Sequence, residues 1–399
     1  MIRVLFYSDA REYGGHEAMT VAAVGFLAGR PDIDVSFVFH KGNKRLSHEL
    51  HRIRNIGHIR LCPLPLKSEG FKPLRPVVQI LRVPRLHRLL KSLAPDVVVV
   101  IQGNIEMGWL GLVVANRIGL RTISYIPMAH RLDTCFSLVT NCRDFLDKKL
   151  YRLPDKFVTI SESAKRMLRE RGTKAQIEVV PNGIDFKYSA VKRADARRAL
   201  GIPERDYVVA VIGRITFSQK AQDFFVDAIA RHRGQLNGFR FCIVGEGPDE
   251  QKLRTMIGNL KLGDCFSILP WQNDLSSLYS AIDLVVIPSK FEGVPLVMLE
   301  AMWYGLPIVA SDVDGMAEVL PSAWLFRRGD PESLVNTLQR VQLADNSRHV
   351  AAQKSRVTEE FTVTKFQRQF CQAVTGNQQV TANSHSVNAE RVTRLAYRN

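Results

Sequence analysis

The sequence predicts an α/β protein made of two doubly wound parallel-sheet domains in tandem, and two observations carry that expectation. Short β-rich runs alternate with helical patterns, the rhythm of strands joined by crossover helices, and this rhythm stops near residue 183 and restarts near residue 206. The chain of 399 residues also suffices for two full cores at roughly 150 residues per domain. Apolar residues make up 46% and charged residues 24%, which excludes wholesale disorder and a disulfide-stapled miniprotein.

The first run, 4–7, is followed by a helical pattern over about 17–28 and a second run at 35–39. Further strands are expected at 97–101, 122–126, 157–160 and 177–180, the last ending in the turn Pro181-Asn182-Gly183. Each run is rich in β-branched and aromatic residues, which suit a pleated, buried surface. After a charged, helix-prone connector around 192–200, strands are expected again at 207–212, 241–244, 284–287, 307–310 and 324–326. The expected domains are therefore 1–183 and 206–360, joined by a linker at 184–205. A helix over 361–376 is expected to pack back toward the N-terminal domain, and 377–399, poor in large apolar residues, to form a loosely ordered tail.

Lysine and arginine number 55 against 39 aspartates and glutamates, a net charge of +16. That excess points to an anionic partner: phospholipid headgroups, nucleic acid or a phosphorylated small molecule. It is concentrated in residues 1–190, which hold 30 basic and 17 acidic residues, and most of all in 41–91, where 13 basic residues face only Glu49 and Glu69. Leu86, Leu89, Leu90 and Leu93 share one helical face beside Arg85, Arg88 and Lys91. Such a helix is either an ordinary half-buried one with a solvated basic side or an element that adsorbs to the anionic inner leaflet of a membrane. Nucleic acid is disfavoured, because neither a helix-turn-helix pattern nor an aromatic-rich sheet motif accompanies the charge.

Six cysteines, at 62, 135, 142, 242, 265 and 371, form no CxxC pair and no finger-like spacing with histidine, as expected of reduced thiols in the cytoplasm. The N-terminal residues pass straight from an apolar run into polar turn residues, unlike a secretory signal. No apolar stretch approaches the roughly 20 residues that span a bilayer, so membrane contact is expected to be peripheral, on the cytoplasmic face.

Three loops hold the candidate chemistry. A helix is expected to begin at Pro295 and end before Gly305, since proline is favoured at the first helical position and glycine just past the last. Glu300 then lies among Leu296, Leu299 and Trp303, where a carboxylate is costly unless something hydrogen-bonds it. It is either a core ion-pair member or an edge residue, or else an acceptor for ligand hydroxyls. Glu292 precedes the helix start, whose free amides suit a phosphate. Arg214 and Lys220 follow the strand at 207–212, at the sheet edge where open α/β sheets bind ligands, and together would neutralise a diphosphate. Gly14-Gly15 after the first strand would let a backbone approach a ligand closely.

In this order, these residues resemble the retaining glycosyltransferases of family 4. Glu292 and Glu300 are separated by seven intervening residues, as in that family's signature. Gly213-Arg214 with Lys220, the Val244-to-Pro248 glycine turn, Pro181-to-Asp185, Pro288-Ser289 and Gly14-Gly15 match around them, over about residues 1–375. The resemblance implies the GT-B fold, two Rossmann-like domains facing across a cleft, with a nucleotide sugar held mostly by the C-terminal one. It implies that Glu300 binds the donor ribose, Arg214 and Lys220 the diphosphate, Glu292 the sugar hydroxyls near the reacting carbon, and amides of Leu296 and Val297 further phosphate oxygens. Gly14-Gly15 would close over the diphosphate, and His130 resembles the histidine that many relatives direct at the donor sugar. Pro295 stands where many relatives have glycine, which removes one amide donor. Residues 271–274 are expected near the base.

The implied reaction moves a hexose from a nucleotide diphosphate sugar, a UDP-sugar rather than a GDP-sugar, to a saccharide or lipid-linked acceptor in surface polysaccharide or lipopolysaccharide assembly. No cofactor or divalent metal is expected, and Asp312-Val-Asp314 is read as a turn rather than a metal pair. Two other readings share the architecture: a nucleotide-sugar 2-epimerase and a non-catalytic, membrane-associated assembly partner.

Overall fold

The computed structural model describes residues 1–64, 83–130, 147–186, 191–272 and 274–376. They form two compact units, one of residues 1–181 together with the segment from Val363, the other of residues 182–362. The expected tail at 377–399, part of the basic stretch (65–82), and Cys135 and Cys142 lie outside the described residues.

The first unit is a seven-stranded parallel sheet in the order β3-β2-β1-β4-β5-β6-β7. Its strands are β1 Ile2–Ser8, β2 Ile33–His40, β3 Ile59–Leu64, β4 Val97–Ile101, β5 Arg121–Tyr125, β6 Lys156–Thr159 and β7 Gln176–Val179. Helices α1 Gly15–Ala28, α2 Lys44–Arg54, α3 Val83–Leu93, α4 Trp109–Arg117 and α5 Glu162–Glu170 connect them. The strands β4 (Val-Val-Val-Val-Ile) and β1 are buried almost throughout, as both faces of a parallel sheet must be.

The second unit has six parallel strands in the order β10-β9-β8-β11-β12-β13: β8 Tyr207–Ile212, β9 Phe239–Val244, β10 Phe266–Leu269, β11 Leu284–Ile287, β12 Ile308–Ser311 and β13 Leu325–Phe326. Its helices are α6 Arg193–Ala199, α7 Gln222–Arg231, α8 Glu250–Asn259, α9 Ser276–Ala281, α10 Leu296–Tyr304, α11 Asp314–Val319, α12 Pro331–Leu343 and α13 Ser347–Glu360. The chain then returns to the first unit as α14 Val363–Thr375.

Two strands escaped the sequence reading, β3 and β10, and both are sheet edges. Arg60 and Pro63 in β3 and Ser267 in β10 break the apolar pattern; Pro63 is tolerated because an edge need not donate on its open side. The stretch expected to be a linker belongs instead to the second unit. Arg197 of α6 is 1% exposed, and its guanidinium donates to the carbonyls of Ala281, Pro203, Glu204 and Asp206 and to the Asp283 carboxylate. Five acceptors around one cation fold this segment onto β8 and α9, where composition alone suggests a tether.

The basic leucine-bearing helix, α3, spends its apolar face on the core. Leu86 and Leu90 are fully buried, with Leu89 and Leu93 packed beside them, while Arg85, Arg88 and Lys91 are exposed. Pro84 sits in the first turn, where its missing amide costs nothing. Among the described residues no helix is long and apolar enough to cross a membrane, and Cys62, Cys242, Cys265 and Cys371 are free thiols.

Candidate functional site

In the second sheet the strand order reverses between β8 and β11, and the loops leaving their carboxyl ends form the candidate site, as expected at a switch point of an open α/β sheet. The two loops are stitched together: the Lys290 amide donates to the Gln219 carbonyl at 2.8 Å, and the Lys220 ammonium contacts the Glu292 carboxylate. Glu292 is only 6% exposed. Its Oε1 also accepts from Ser289 Oγ at 3.2 Å, and its own amide donates to Asp314 Oδ2 at 3.1 Å from the neighbouring loop. Side chain and main chain are thus both fixed, at the mouth of the helix that follows.

Arg214 is exposed, in the same loop as Lys220. The loop is shaped by Gln222, which is buried at the start of α7: its Nε2 donates to the Arg214 carbonyl at 2.9 Å and its Oε1 accepts from the Thr216 amide at 3.2 Å. Asp249 braces the far end by accepting from the Phe217 amide at 3.0 Å, a bond that holds its carboxyl below the usual range. The turn after β9 packs directly against this loop. A Cβ on Gly245 would stand 2.0 Å from the Gly213 carbonyl oxygen, and one on Gly247 2.1 Å from that of Ile215, so the glycines of Gly245-Glu246-Gly247 are demanded by backbone proximity.

Helix α10 starts with Pro295 as its N-cap and stops at Gly305 in the left-handed conformation. Met298 and Leu299 donate back to the Pro295 carbonyl, leaving the amides of Leu296 and Val297 as the open donors of the first turn. The entry to the helix is held by Asn182, a buried residue whose Nδ2 donates to the Val294 carbonyl at 2.8 Å. Asn182→Ala is expected to leave that carbonyl unsatisfied and lower stability by about 1–3 kcal/mol; urea melts of the two proteins measure the difference.

One turn into α10, Glu300 is half-buried and accepts a 2.6 Å hydrogen bond from Tyr279 Oη on α9. Burial raises its carboxyl above the ordinary value and the tyrosine bond pulls it partly back.

The remaining predicted residues belong to the first unit. Gly14 is the N-cap of α1, with extended backbone, and its amide donates to Glu17 Oε2 at 2.9 Å; Gly15 opens the helix. A Cβ at Gly14 would meet nothing closer than that carboxylate at 3.5 Å, so the fold itself does not require a glycine there. His130 follows β5, and the buried Arg171 donates to the carbonyls of Ala129 and His130 at 3.2 and 3.3 Å. Asp9, just past β1 and beside this sheet's own reversal point, accepts from the Gly108 amide at 2.9 Å, and burial lifts its carboxyl to about 6.

Residues 13–188 match the model of glycosyltransferase family 4, and residues 206–343 that of the glycosyl transferases group 1. This chain belongs to glycosyltransferase family 4. An uncharacterized glycosyltransferase of Haemophilus influenzae is 26% identical over 363 residues, 86% of this chain and 93% of that protein. The UDP-Gal:alpha-D-GlcNAc-diphosphoundecaprenol alpha-1,3-galactosyltransferase of Escherichia coli is 30% identical over 175 residues, 42% of this chain and 45% of its own length. Among solved structures, Anabaena HepE in complex with UDP and glucose superposes with a TM-score of 0.74 at 18% identity, covering 94% of this chain and 100% of that one. WaaG, a glycosyltransferase involved in lipopolysaccharide biosynthesis, gives 0.66 at 16%, covering 94% and 100%. The two parallel sheets are those of the GT-B fold.

In this family 4 enzyme, Glu292 and Lys220 are brought into contact from two loops, Arg214 shares the loop of Lys220, and Glu300 lies one turn into the helix that follows Glu292. Gln222, Asn182 and Tyr279, and Asp314 of the expected turn, hold these residues through partners that no local pattern marks. Asn182 sits in the Pro181-Asn182-Gly183 turn, whose chemistry marks its position but not its partner. The paired acids Asp312 and Asp314 are engaged separately, Asp312 by the Arg328 amide and Asp314 by the Glu292 amide. Among the described residues no cluster of three His, Cys, Asp or Glu could hold a metal ion.

Proposed function

We propose that this family 4 glycosyltransferase moves a hexose-type sugar from a nucleotide diphosphate sugar, a UDP-sugar in preference to a GDP-sugar, to a saccharide or lipid-linked saccharide in surface polysaccharide or lipopolysaccharide assembly. The observation that carries the reading is the buried Glu292, held by Ser289 and Lys220 in front of the open amides of Leu296 and Val297. The UDP complexes of HepE and the diphosphoundecaprenol substrate in the name of the Escherichia coli relative support the donor and the acceptor class.

Departure of the nucleoside diphosphate leaves negative charge on its β-phosphate. Arg214, Lys220 and the α10 amides are the groups assigned to that charge; Lys220 and the amides are held before the reaction and are therefore effective without reorganisation. These cations supply the countercharge themselves, so no divalent metal is needed in this scheme. Glu300 is assigned to the ribose hydroxyls, Glu292 to the sugar hydroxyls, and His130 and the Gly14-Gly15 turn to the donor. With EDTA present, a thermal-shift panel of UDP, GDP and ADP sugars is expected to show the largest rise with a UDP-sugar, and Glu300→Ala to abolish it. No rise with any of them, or an unchanged rise in the variant, removes the assignment.

The exposed Arg85, Arg88 and Lys91 of α3 are assigned to the anionic inner-leaflet surface that presents the acceptor. Since the leucines are occupied in the core, binding there is electrostatic and falls with salt. Neutralising the three is expected to reduce pelleting with anionic liposomes; unchanged pelleting counts against the membrane role.

A further inference from the structure

We propose that Tyr279 is a specificity-determining residue: it locks the Glu300 carboxylate so that the site accepts a nucleotide with a vicinal diol and discriminates against 2′-deoxyribose. The inference rests on the assignment of Glu300 to the donor ribose and goes beyond it by naming the residue that sets the selectivity.

The geometry is a two-rung tie between α9 and α10. Tyr279 Oη donates to Glu300 Oε2 at 2.6 Å, and in the reverse direction Tyr304 Oη donates to Ser276 Oγ at 2.9 Å. Glu300 and Tyr304 are four residues apart, on one face of α10, and the Tyr279 and Tyr304 rings stack between the rungs with centroids 4.8 Å apart and planes 18° from parallel. Tyr279 is 3% exposed, so its ring has no room to swing away. A glutamate rotates freely about its last bond when exposed; here one oxygen is tied to a buried phenol, which fixes the carboxylate plane and leaves Oε1 for the ligand.

Fixing that plane matters for a diol in particular. Two neighbouring hydroxyls must both find acceptor lone pairs at once, and a site built to bond a hydroxyl strongly rejects an analogue that lacks it because the polar group is left unpaired. A carboxylate free to rotate recovers part of that loss by turning to water, and its selectivity falls.

The test is calorimetric titration with UDP and 2′-deoxy-UDP, and in parallel GDP and 2′-deoxy-GDP, on the full chain. For whichever ribonucleotide binds, Tyr279→Phe is expected to keep the ring stack yet lower the ribo-to-deoxy affinity ratio by about tenfold, whereas Tyr304→Phe, which cuts only the other rung, leaves the ratio at the wild-type value. If Tyr304→Phe lowers the ratio as much as Tyr279→Phe, the effect belongs to helix packing and the inference is overturned. A wild-type ratio in Tyr279→Phe overturns it as well. Glu300→Gln separates the two levels: if it leaves the ratio unchanged, the ribose assignment itself fails; if it collapses the ratio while Tyr279→Phe does not, only the role of Tyr279 fails.

Discussion

Glu292→Gln is expected to lower the rate of sugar transfer by about a hundredfold while affinity for the free nucleoside diphosphate stays within about threefold of wild type. The amide retains the shape of the side chain and an oxygen for Ser289 Oγ, but it loses the charge that faces Lys220 and the second strong acceptor for a sugar hydroxyl. Lys220, relieved of its partner, remains available to phosphate, so nucleotide binding is the quantity least affected. Removing a carboxylate from a buried pair also carries a stability cost of about 1–3 kcal/mol, so melting of the variant must be recorded beside its kinetics. A turnover number equal to wild type would remove Glu292 from the reacting centre.

Gly245→Ala is expected to destabilise the second unit by more than about 3 kcal/mol and to lower its melting temperature by on the order of 10 °C. Gly245 has φ of 152°, and the new methyl would stand 2.0 Å from the Gly213 carbonyl oxygen, a backbone atom that cannot give way. Relief requires the Gly213-to-Lys220 loop to move, which carries Lys220 away from Glu292, so nucleotide affinity should fall with stability. Gly258→Ala is the control. It lies within α8 with nothing inside 4 Å of the added carbon, and should raise stability by about 0.5–1 kcal/mol. Equal behaviour of the two variants in a thermal melt would show that loop proximity is not what the glycine serves.

What was legible in the sequence follows from which interactions are local. The central strands were visible because both faces are buried, so β4 and β8 read as unbroken apolar runs; β3 and β10 were not, because Arg60 and Pro63 in the one and Ser267 in the other interrupt the run. Gly305 ends helix α10 as its sequence predicts, whereas Pro295, expected as the first helical residue, is the N-cap and the helix begins at Leu296; both act through backbone preferences at their own positions. The acids Glu292 and Glu300 and the cations Arg214 and Lys220 could be found from type and spacing. Their holders could not: Asn182 is 112 residues from Val294 and Tyr279 is 21 residues from Glu300. No periodicity links such pairs, and only the folded sheet order brings them together. The supposed linker failed for the same reason, since the five acceptors that bury Arg197 are scattered from Pro203 to Asp283.

The return of α14 to the first unit makes that unit discontinuous, and this has a consequence for biosynthesis. Phe366 and Phe370 are buried, with Phe370 against Phe6 and Tyr125, while Gln367 donates to the Ala22 carbonyl and Lys156 to that of Ala373. On the ribosome the first-made half therefore waits, with an apolar groove open, until everything through residue 375 has been translated. The second unit emerges in one contiguous piece and has all its parts earlier. A nonsense mutation after residue 362 would spare the later-made unit and strike the earlier one.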